Sequence, residues 1–455
     1  MISEQEKEGH EDSSLITLRA EIPVYGGFVL GRIRSSQESQ GSDKEVSRRS
    51  SDSRGVNEGK IIFIKGAIPG ELVDLSLKDS RRDYSIGEVM RVLEPSQFRR
   101  RPPCPYFGLC GGCHLQYMEY GKQVSIKEEV LRDTLQRIGG IAIREIPSLT
   151  GNEFFYRHRV QFKVSKEGKI GFFREGTRDI VMIDRCLVII EPINELLSKL
   201  HMMDLRGIKE LHVISGDTLA VLIKGNIGDE TIQALLDSGV SGIAFENGDS
   251  IGKDYITLEY SGLRYTVTPW GFFQGHWSLN EKVVDLILER LSPLEGKRVL
   301  DLYSGAGNFS LPLARSSAEV IAIEENHYAI EDGKRNAMIN GIKNCLFIQS
   351  PVDEVLRGRK GILSKKSLAG RSSIFDEKGY DIVILDPPRP GLSTEMCKRL
   401  LELGSERIVY VSCNPATLAR DLKRMLERYI IESLHMVDFF PNTYHIEAVA
   451  FLRLR

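Results

Sequence analysis

Apolar residues change their spacing twice along this chain. Between residues 15 and 95 they fall in short runs, Ile16–Ile22, Lys60–Lys65, Leu72–Leu77 and Ile86–Leu93, divided by glycine or proline turns. Such runs predict short strands of a small, oligonucleotide-binding-like β-barrel. Ser35–Gly59, rich in Ser, Gln, Glu, Arg and Gly, has no apolar period and predicts a disordered insertion in a barrel loop. A Gly-, Pro- and Cys-rich loop follows at Cys104–Gly112. Helical spacing then sets in over about Gln116–Ile138, stopped by Gly139-Gly140. From Gly151 to about Leu263 the pattern alternates, with one helix near Pro192–Leu200, which predicts an antiparallel or mixed sheet.

Near Tyr265 the rhythm changes again. Helix Asn280–Leu291, strand Arg298–Leu302, a glycine turn, helix Phe309–Arg315 and strand Val320–Ile323 make βαβ units, so a doubly wound, Rossmann-like α/β sheet is expected. A polar insertion, Arg357–Lys378, interrupts it before strands Ile382–Leu385, Arg407–Val411 and Ala448–Leu454. The expected fold class is α/β plus β, in three domains: 15–95, 96–264 and 265–455. A chain of 455 residues is long enough for three such cores.

With 41% hydrophobic and 27% charged residues the composition is that of a soluble globular protein. No apolar run reaches the roughly 18 residues a membrane span needs. Met1–Ser13 is acidic and polar, unlike a secretory signal, so a cytoplasmic location is expected. A net charge of −2 makes no global case for nucleic acid; local patches must carry any such case. One is Tyr156–Arg178, with seven Lys or Arg against two Glu and four aromatic residues among them. That mixture suits phosphates and unstacked bases, although a basic run is often only a solvated face.

Seven cysteines, an odd number without an export signal, argue against a disulfide framework. Cys104, Cys110 and Cys113 crowd into ten residues, and Cys186 could supply a fourth thiolate. Three clustered cysteines and a distant one are closer to iron–sulfur ligation than to the paired knuckles of structural zinc; zinc and reduced thiols stay open. The x5 and x2 spacings do not fit radical chemistry on S-adenosylmethionine.

Val299–Phe309 reads as a strand, a glycine turn and a helix start. Gly305 and Gly307 let the backbone approach a ligand, yet no third glycine completes a dinucleotide fingerprint. Glu324, at the end of the next strand, can hold two ribose hydroxyls, and Asp386-Pro387-Pro388 lies at a third strand end. These suit S-adenosylmethionine. Arg389 stands where methylases of exocyclic amines usually carry an aromatic residue. Cys413, in Ser412-Cys413-Asn414-Pro415, would on its own be read as a small buried hydrophobe. Beside a methyl-donor site it suits carbon methylation of uracil: a thiolate adding to carbon 6 makes carbon 5 nucleophilic, and a base then removes the carbon 5 proton.

Over nearly its whole length the chain resembles the RNA 5-methyluridine methyltransferase family. Residues 15–95 look like its TRAM domain, and Cys104–Cys113 is similar to its cluster-binding segment, which implies Cys186 as fourth ligand of a 4Fe–4S centre. Phe273-Gln274 and the DLYSGAGNFSLPLA stretch with Tyr303, Gly305, Gly307 and Asn308 resemble its methyl-donor motifs, as do Glu324 and Asp386. Ser412–Asp421 resembles the nucleophile motif, and Phe440–Glu447 the segment whose glutamate, Glu447, is the implied base. Two departures occur: Gly275-His276 where an asparagine is common, and His158 where Asn or Arg is often seen. The resemblance implies a monomeric enzyme acting on RNA, on ribosomal RNA before transfer RNA. A non-catalytic RNA-binding assembly factor is the reading from another class.

Overall fold

A computed structural model describes residues 15–33, 59–357 and 379–455. The insertions expected at Ser35–Gly59 and Arg357–Lys378 fall, but for their end residues, outside these. Two compact units emerge: one of Met1–Pro105, Cys113–Val130 and Asn442–Tyr444, the other of Tyr106–Gly112, Leu131–Pro441 and His445–Arg455.

The first unit holds strands β1 (Ile16–Arg19), β2 (Ile22–Val24), β3 (Phe28–Arg32), β4 (Ile61–Lys65), β5 (Leu72–Ser80) and β6 (Tyr84–Glu94) in one sheet of order β1-β5-β6-β4-β3-β2. Alternation puts Leu18, Val29, Ile62, Ile64, Val73 and Leu75 into its core. Strand β3 was not expected from its sequence. Gly26 and Gly27, at φ of +98° and +79°, turn the chain from β2 into it. Helix α1 (Tyr120–Thr134) follows, shorter than its apolar period predicts, because Leu135–Gly139 winds as a π-turn and Gly140 ends it in the left-handed region.

In the second unit a seven-stranded sheet of order β10-β9-β8-β11-β12-β13-β14 combines β8 (Arg159–Val164), β9 (Ile170–Phe173), β10 (Ile180–Met182), β11 (Ile208–Ser215), β12 (Leu219–Gly225), β13 (Val240–Phe245) and β14 (Ser250–Gly252). It is mixed, since β12 and β13 run parallel and the other pairs antiparallel. Two helices lie in this stretch, α2 (Glu191–Leu200) and α3 (Asp229–Asp237), where one was expected. Hairpin β15 (Ile256–Tyr260) and β16 (Leu263–Val267) leads to α4 (Trp277–Leu291).

The largest sheet has eight strands in the order β19-β18-β17-β20-β21-β23-β22-β7. Its parallel part is β17 (Arg298–Leu302), β18 (Glu319–Glu324), β19 (Cys345–Gln349), β20 (Ile382–Leu385) and β21 (Arg407–Ser412). The last strand, β23 (Glu447–Leu454), runs antiparallel to both β21 and β22 (Tyr429–Val437), and the short β7 (Ser148–Leu149) pairs with β22. Helices α5 (Ser310–Ala314), α6 (His327–Ile339), α7 (Val352–Leu356), α8 (Thr394–Leu403) and α9 (Pro415–Met425) connect them. Val383, Ile384, Val409 and Tyr410 are wholly buried, so β20 and the body of β21 read as unbroken apolar runs. Among the described residues no helix is long and apolar enough to cross a membrane.

Candidate active site

In an open parallel sheet ligands bind beyond the carboxyl ends of the strands. Four neighbouring strands of the large sheet end in the residues singled out above: β18 in Glu324, β17 in the Tyr303–Gly307 turn, β20 in Asp386 and β21 in Cys413. Antiparallel β23 begins at that same edge with Glu447. Its ladder pairs Ser412 with Ala448, and one further step in that register sets Cys413 across from Glu447.

The glycine turn is tight. Tyr303 takes φ of +66°, and Gly305 and Gly307 take +53° and +89°. A side chain at Gly307 would meet Leu311 Cγ and Phe347 Cζ at 2.9 Å, whereas at Gly305 the nearest atom is Phe272 O at 4.0 Å. Gly307 is therefore required by packing, and Gly305 fronts open space. Glu324 is already oriented: its two carboxylate oxygens accept from Gly305 N at 3.0 Å and Asn326 N at 2.8 Å. Gln274 is buried in the segment before α4. The Asn308 amide is engaged with protein, accepting from Tyr260 Oη and Asn280 Nδ2 and donating to Asn280 Oδ1.

Cys413 is half-buried at the end of β21, directly before α9. Asn414 caps that helix by accepting from Ala416 N, and Pro415 opens its first turn. Burial pushes the Cys413 thiol up, as do the Glu447 and Asp386 carboxyls, while Arg389 opposes them. Glu447 is 8% exposed, without a side-chain hydrogen bond among the described residues. Its carboxyl is pushed up to about 8, by burial first and then by Asp386 and Asp438. Burial, with Glu324 beside it, pushes Asp386 up to about 7. The site thus gathers carboxyls that repel one another in a poorly solvated place, an arrangement that a positive ligand relieves.

Sequence reasoning passed over two members of this group. Asp301, fully buried in β17, accepts from Ser310 Oγ, and burial raises it to about 7. Asp438, fully buried after β22, acts on Glu447. The available signal was an acid inside an apolar run, Val299–Leu302 and Met436–Phe440.

The basic segment Tyr156–Arg178 is only in part a free surface. Arg159 donates to the carbonyls of Gly271 and Pro269, and Lys163 pairs with Glu210 at 2.5 Å while lying 5.4 Å from the Phe173 ring centroid. The two departures from the family pattern meet. His158 N donates to Gly275 O at 2.9 Å, His158 stacks on Trp277 at 4.0 Å, and His276 stacks on Tyr156 at 4.6 Å. Burial lowers both imidazoles to about 4, so they are neutral packing elements.

Cys104, Cys110, Cys113 and Cys186 are each part-buried. Gly112 N–H points at Cys110 Sγ across 3.4 Å, and Asn194 holds both the backbone N–H and the carbonyl of Cys186. Among the described residues, however, no group of three or more His, Cys, Asp or Glu is set to hold a metal ion. The donor chemistry suits a thiolate-bound cluster, and the described geometry does not assemble one.

A family model described as tRNA (uracil-5-)-methyltransferase matches residues 242–455. The sequence is 33% identical to an uncharacterized RNA methyltransferase of Aquifex aeolicus, over 97% of this chain and 99% of that protein. It is also 33% identical to the 23S rRNA (uracil(1939)-C(5))-methyltransferase of Pseudomonas fluorescens, over 89% and 90%. The crystal structure of Pyrococcus abyssi tRNA (uracil-54, C5)-methyltransferase in complex with S-adenosyl-L-homocysteine superposes with a TM-score of 0.67 at 26% identity, covering 87% of this chain and 96% of that one.

Two outcomes are expected. Gly307→Ala should lower the melting temperature well beyond Gly305→Ala: both incur a left-handed penalty of about 1–2 kcal/mol, and only the first adds a clash. The second outcome concerns pH. Ordinary Glu and Asp titrate at 4.5 and 3.8, against about 8 and about 7 for Glu447 and Asp386 here. Between these limits the folded protein holds protons that the unfolded chain has released. The contribution of these two carboxyls to stability is therefore fully present below about pH 4 and is lost as pH rises through 7 to 8, by on the order of a few kcal/mol. Calorimetry of ligand-free protein should show the melting temperature falling from pH 5 to pH 8, with a shallower fall in Glu447→Gln and Asp386→Asn.

Proposed function

The chain belongs to the family of RNA uracil-C5 methyltransferases, and from that membership we propose that it methylates carbon 5 of one uridine in 23S ribosomal RNA, with S-adenosylmethionine as donor. The observation that carries the reading is the antiparallel register that sets Cys413 beside Glu447, next to Asp386, at the edge where the glycine turn opens. The 23S target is carried over from relatives that align over about nine-tenths of both chains. Transfer RNA is the second reading, favoured by the Pyrococcus neighbour.

The donor supplies an electrophilic methyl on a sulfonium. Gly305 gives its adenosine room, Gly307 lets the turn pack close on Leu311 and Phe347, Glu324 accepts from the ribose hydroxyls, and Gln274 and Asp386 face its amino-acid end, with Tyr303 and Asn308 bracing the turn. Cys413 adds as thiolate to carbon 6 of the target uracil. Arg389 and the positive donor favour that thiolate against the carboxyls around it. Carbon 5 then takes the methyl group, Glu447 accepts the carbon 5 proton, and the Cys413–carbon 6 bond breaks to restore the aromatic ring. A stacked base cannot reach Cys413, so the target uridine lies in a loop or is flipped out, at a few kcal/mol of unstacking.

Other parts of the reading go with this one. The sheet of residues 16–94 would be a TRAM-type, oligonucleotide-binding barrel, and the eight-stranded sheet a doubly wound methyltransferase domain. Phe173 and the exposed basic residues of the seven-stranded sheet would meet RNA. Cys104, Cys110, Cys113 and Cys186 would hold a 4Fe–4S cluster with no part in methyl transfer, since neither half-reaction is a redox step. The enzyme would act as a cytoplasmic monomer.

Cys413→Ala should abolish turnover, by several orders of magnitude, while still binding S-adenosylhomocysteine; a covalent adduct to 5-fluorouridine RNA that survives this change would overturn the nucleophile. Glu447→Gln should accumulate methylated RNA bound covalently to protein, seen as a slow gel band carrying the donor's methyl label. Mass-spectrometric mapping of ribosomal and transfer RNA from a deletion strain decides between the two targets. Protein purified without oxygen should be brown, with about four irons per chain; stoichiometric zinc would exclude the cluster.

A further inference from the structure

Asp421 lies in the second turn of α9, eight positions after Cys413, and its side chain is wholly buried. It faces none of the carboxyls at the strand ends and is instead loaded with donors. Leu392 N and Tyr410 Oη reach its Oδ2 at 2.8 and 2.9 Å, Arg420 Nε reaches its Oδ1 at 2.8 Å, and Arg424 Nη1 reaches Oδ1 at 3.3 Å. Arg420 Nη2 donates to the carbonyls of Pro390 and Leu392 at 2.9 and 3.0 Å and to Asp421 Oδ2 at 3.2 Å. Asn414 Nδ2 and Thr417 Oγ1 both donate to Arg389 O. Each of those acceptors, and Leu392 N, belongs to one segment, the loop that leaves β20 through Asp386-Pro387-Pro388.

That loop cannot stand off from the helix. Gly391 takes φ of +70°, and a Cβ there would lie 2.5 Å from Asp421 Oδ2 and 2.9 Å from Arg420 Nη2. Backbone pairing of β20 with β21 stops at Leu385 and Tyr410, so the segments beyond it need another tie. A carboxylate buried under several donors is costly to disturb, since losing one partner leaves others unsatisfied.

We infer that Asp421 and Arg420 form a clamp that fastens the Asp386 loop to the first turns of the nucleophile helix, so that the Cys413 thiol and the Asp386 carboxyl keep a single spacing. The clamp touches neither substrate; Asp421 and Arg420 are positioning residues. The inference rests on the proposed reading that Cys413 attacks uracil beside a methyl donor bound at Asp386. Loosening the clamp should leave each substrate's own binding contacts in place and degrade their alignment, where errors near 1 Å cost about a hundredfold in rate.

The test uses the full-length protein and three single variants. Arg420→Lys keeps the charge and loses the fork that spans Asp421, Pro390 and Leu392. Asp421→Asn keeps the shape and loses the charge. Gly391→Ala wedges the clamp open without altering a polar group. For each, the S-adenosylhomocysteine affinity is measured by calorimetry, the melting temperature is recorded, and the rate of covalent adduct formation with 5-fluorouridine RNA is followed in a single turnover with donor. Affinity should stay within about threefold of the parent while the adduct rate falls at least about tenfold in all three, with kcat down and the donor KM little changed. Should Asp421→Asn not fold, Arg420→Lys and Gly391→Ala decide, since Arg420 is part-exposed. Adduct rates within about twofold of the parent in folded Arg420→Lys and Gly391→Ala would overturn the clamp, and so would donor affinity falling in step with rate. If the parent itself forms no Cys413-dependent adduct, the failure belongs to the proposed function and not to the clamp.

Discussion

The antiparallel pairing of β21 with β23 is the constraint on which the rest of the site depends. Every other strand of the row delivers its carboxyl end to the ligand edge. Strand β23 runs the opposite way, so its beginning arrives there, and the last segment of the chain brings Glu447 back to Cys413. The register is fixed because both strands are buried on both faces, from Ile408 to Val411 and from Ala448 to Leu452. A slip of one residue would exchange faces along the whole strand and turn Glu447 away from the thiol. Hydrophobic packing thus sets a relation between two polar side chains that make no direct hydrogen bond.

How much could be read beforehand followed from burial. Strands Arg298–Leu302 and Ile382–Leu385 were found with their bounds, the second as a plain apolar run covered on both sides and the first as one broken only by Asp301. Helices α6 and α8 were missed because one face of each is polar and their apolar stripes are thin. In α6 the buried positions even include Asp332 and Asn336, which hold Thr268 and Thr266. The row Glu324, Gly305, Asp386 and Cys413 was legible since strand ends followed by glycine, proline or an acid have few structural uses. Asp301 and Asp438 were not: an acid within an apolar stretch shows its partners only once the sheet is assembled, and Asp421, though inside the Ser412–Asp421 motif, shows its partners only in the fold. The spacing of Cys104, Cys110, Cys113 and Cys186 suggested a cluster, and among the described residues no metal-holding group is found.

The departures at His158 and Gly275-His276 change standing once the fold is seen. In sequence they are two unrelated oddities more than a hundred residues apart. In space the backbone of one bonds the backbone of the other, and both imidazoles serve as flat, uncharged packing against Trp277 and Tyr156. The two positions are thus one packing unit of this chain, and Gln274, in the same segment, stays buried.

In the proposed reading of the site, the crowding of Glu324, Asp386 and Glu447 also bears on selectivity between a methyl donor and its spent form. A sulfonium and the thioether it leaves behind have nearly the same shape and differ by one unit of charge. Shape alone cannot separate them, and a pocket that binds both equally is choked by its own product. An acid-lined, poorly hydrated pocket reads the charge directly, because the attraction is strong where water is scarce and vanishes with the methyl group. Discrimination of this kind strengthens as the carboxyls ionise, so in that reading alkaline conditions that cost the empty protein stability would sharpen its preference for fresh donor over used.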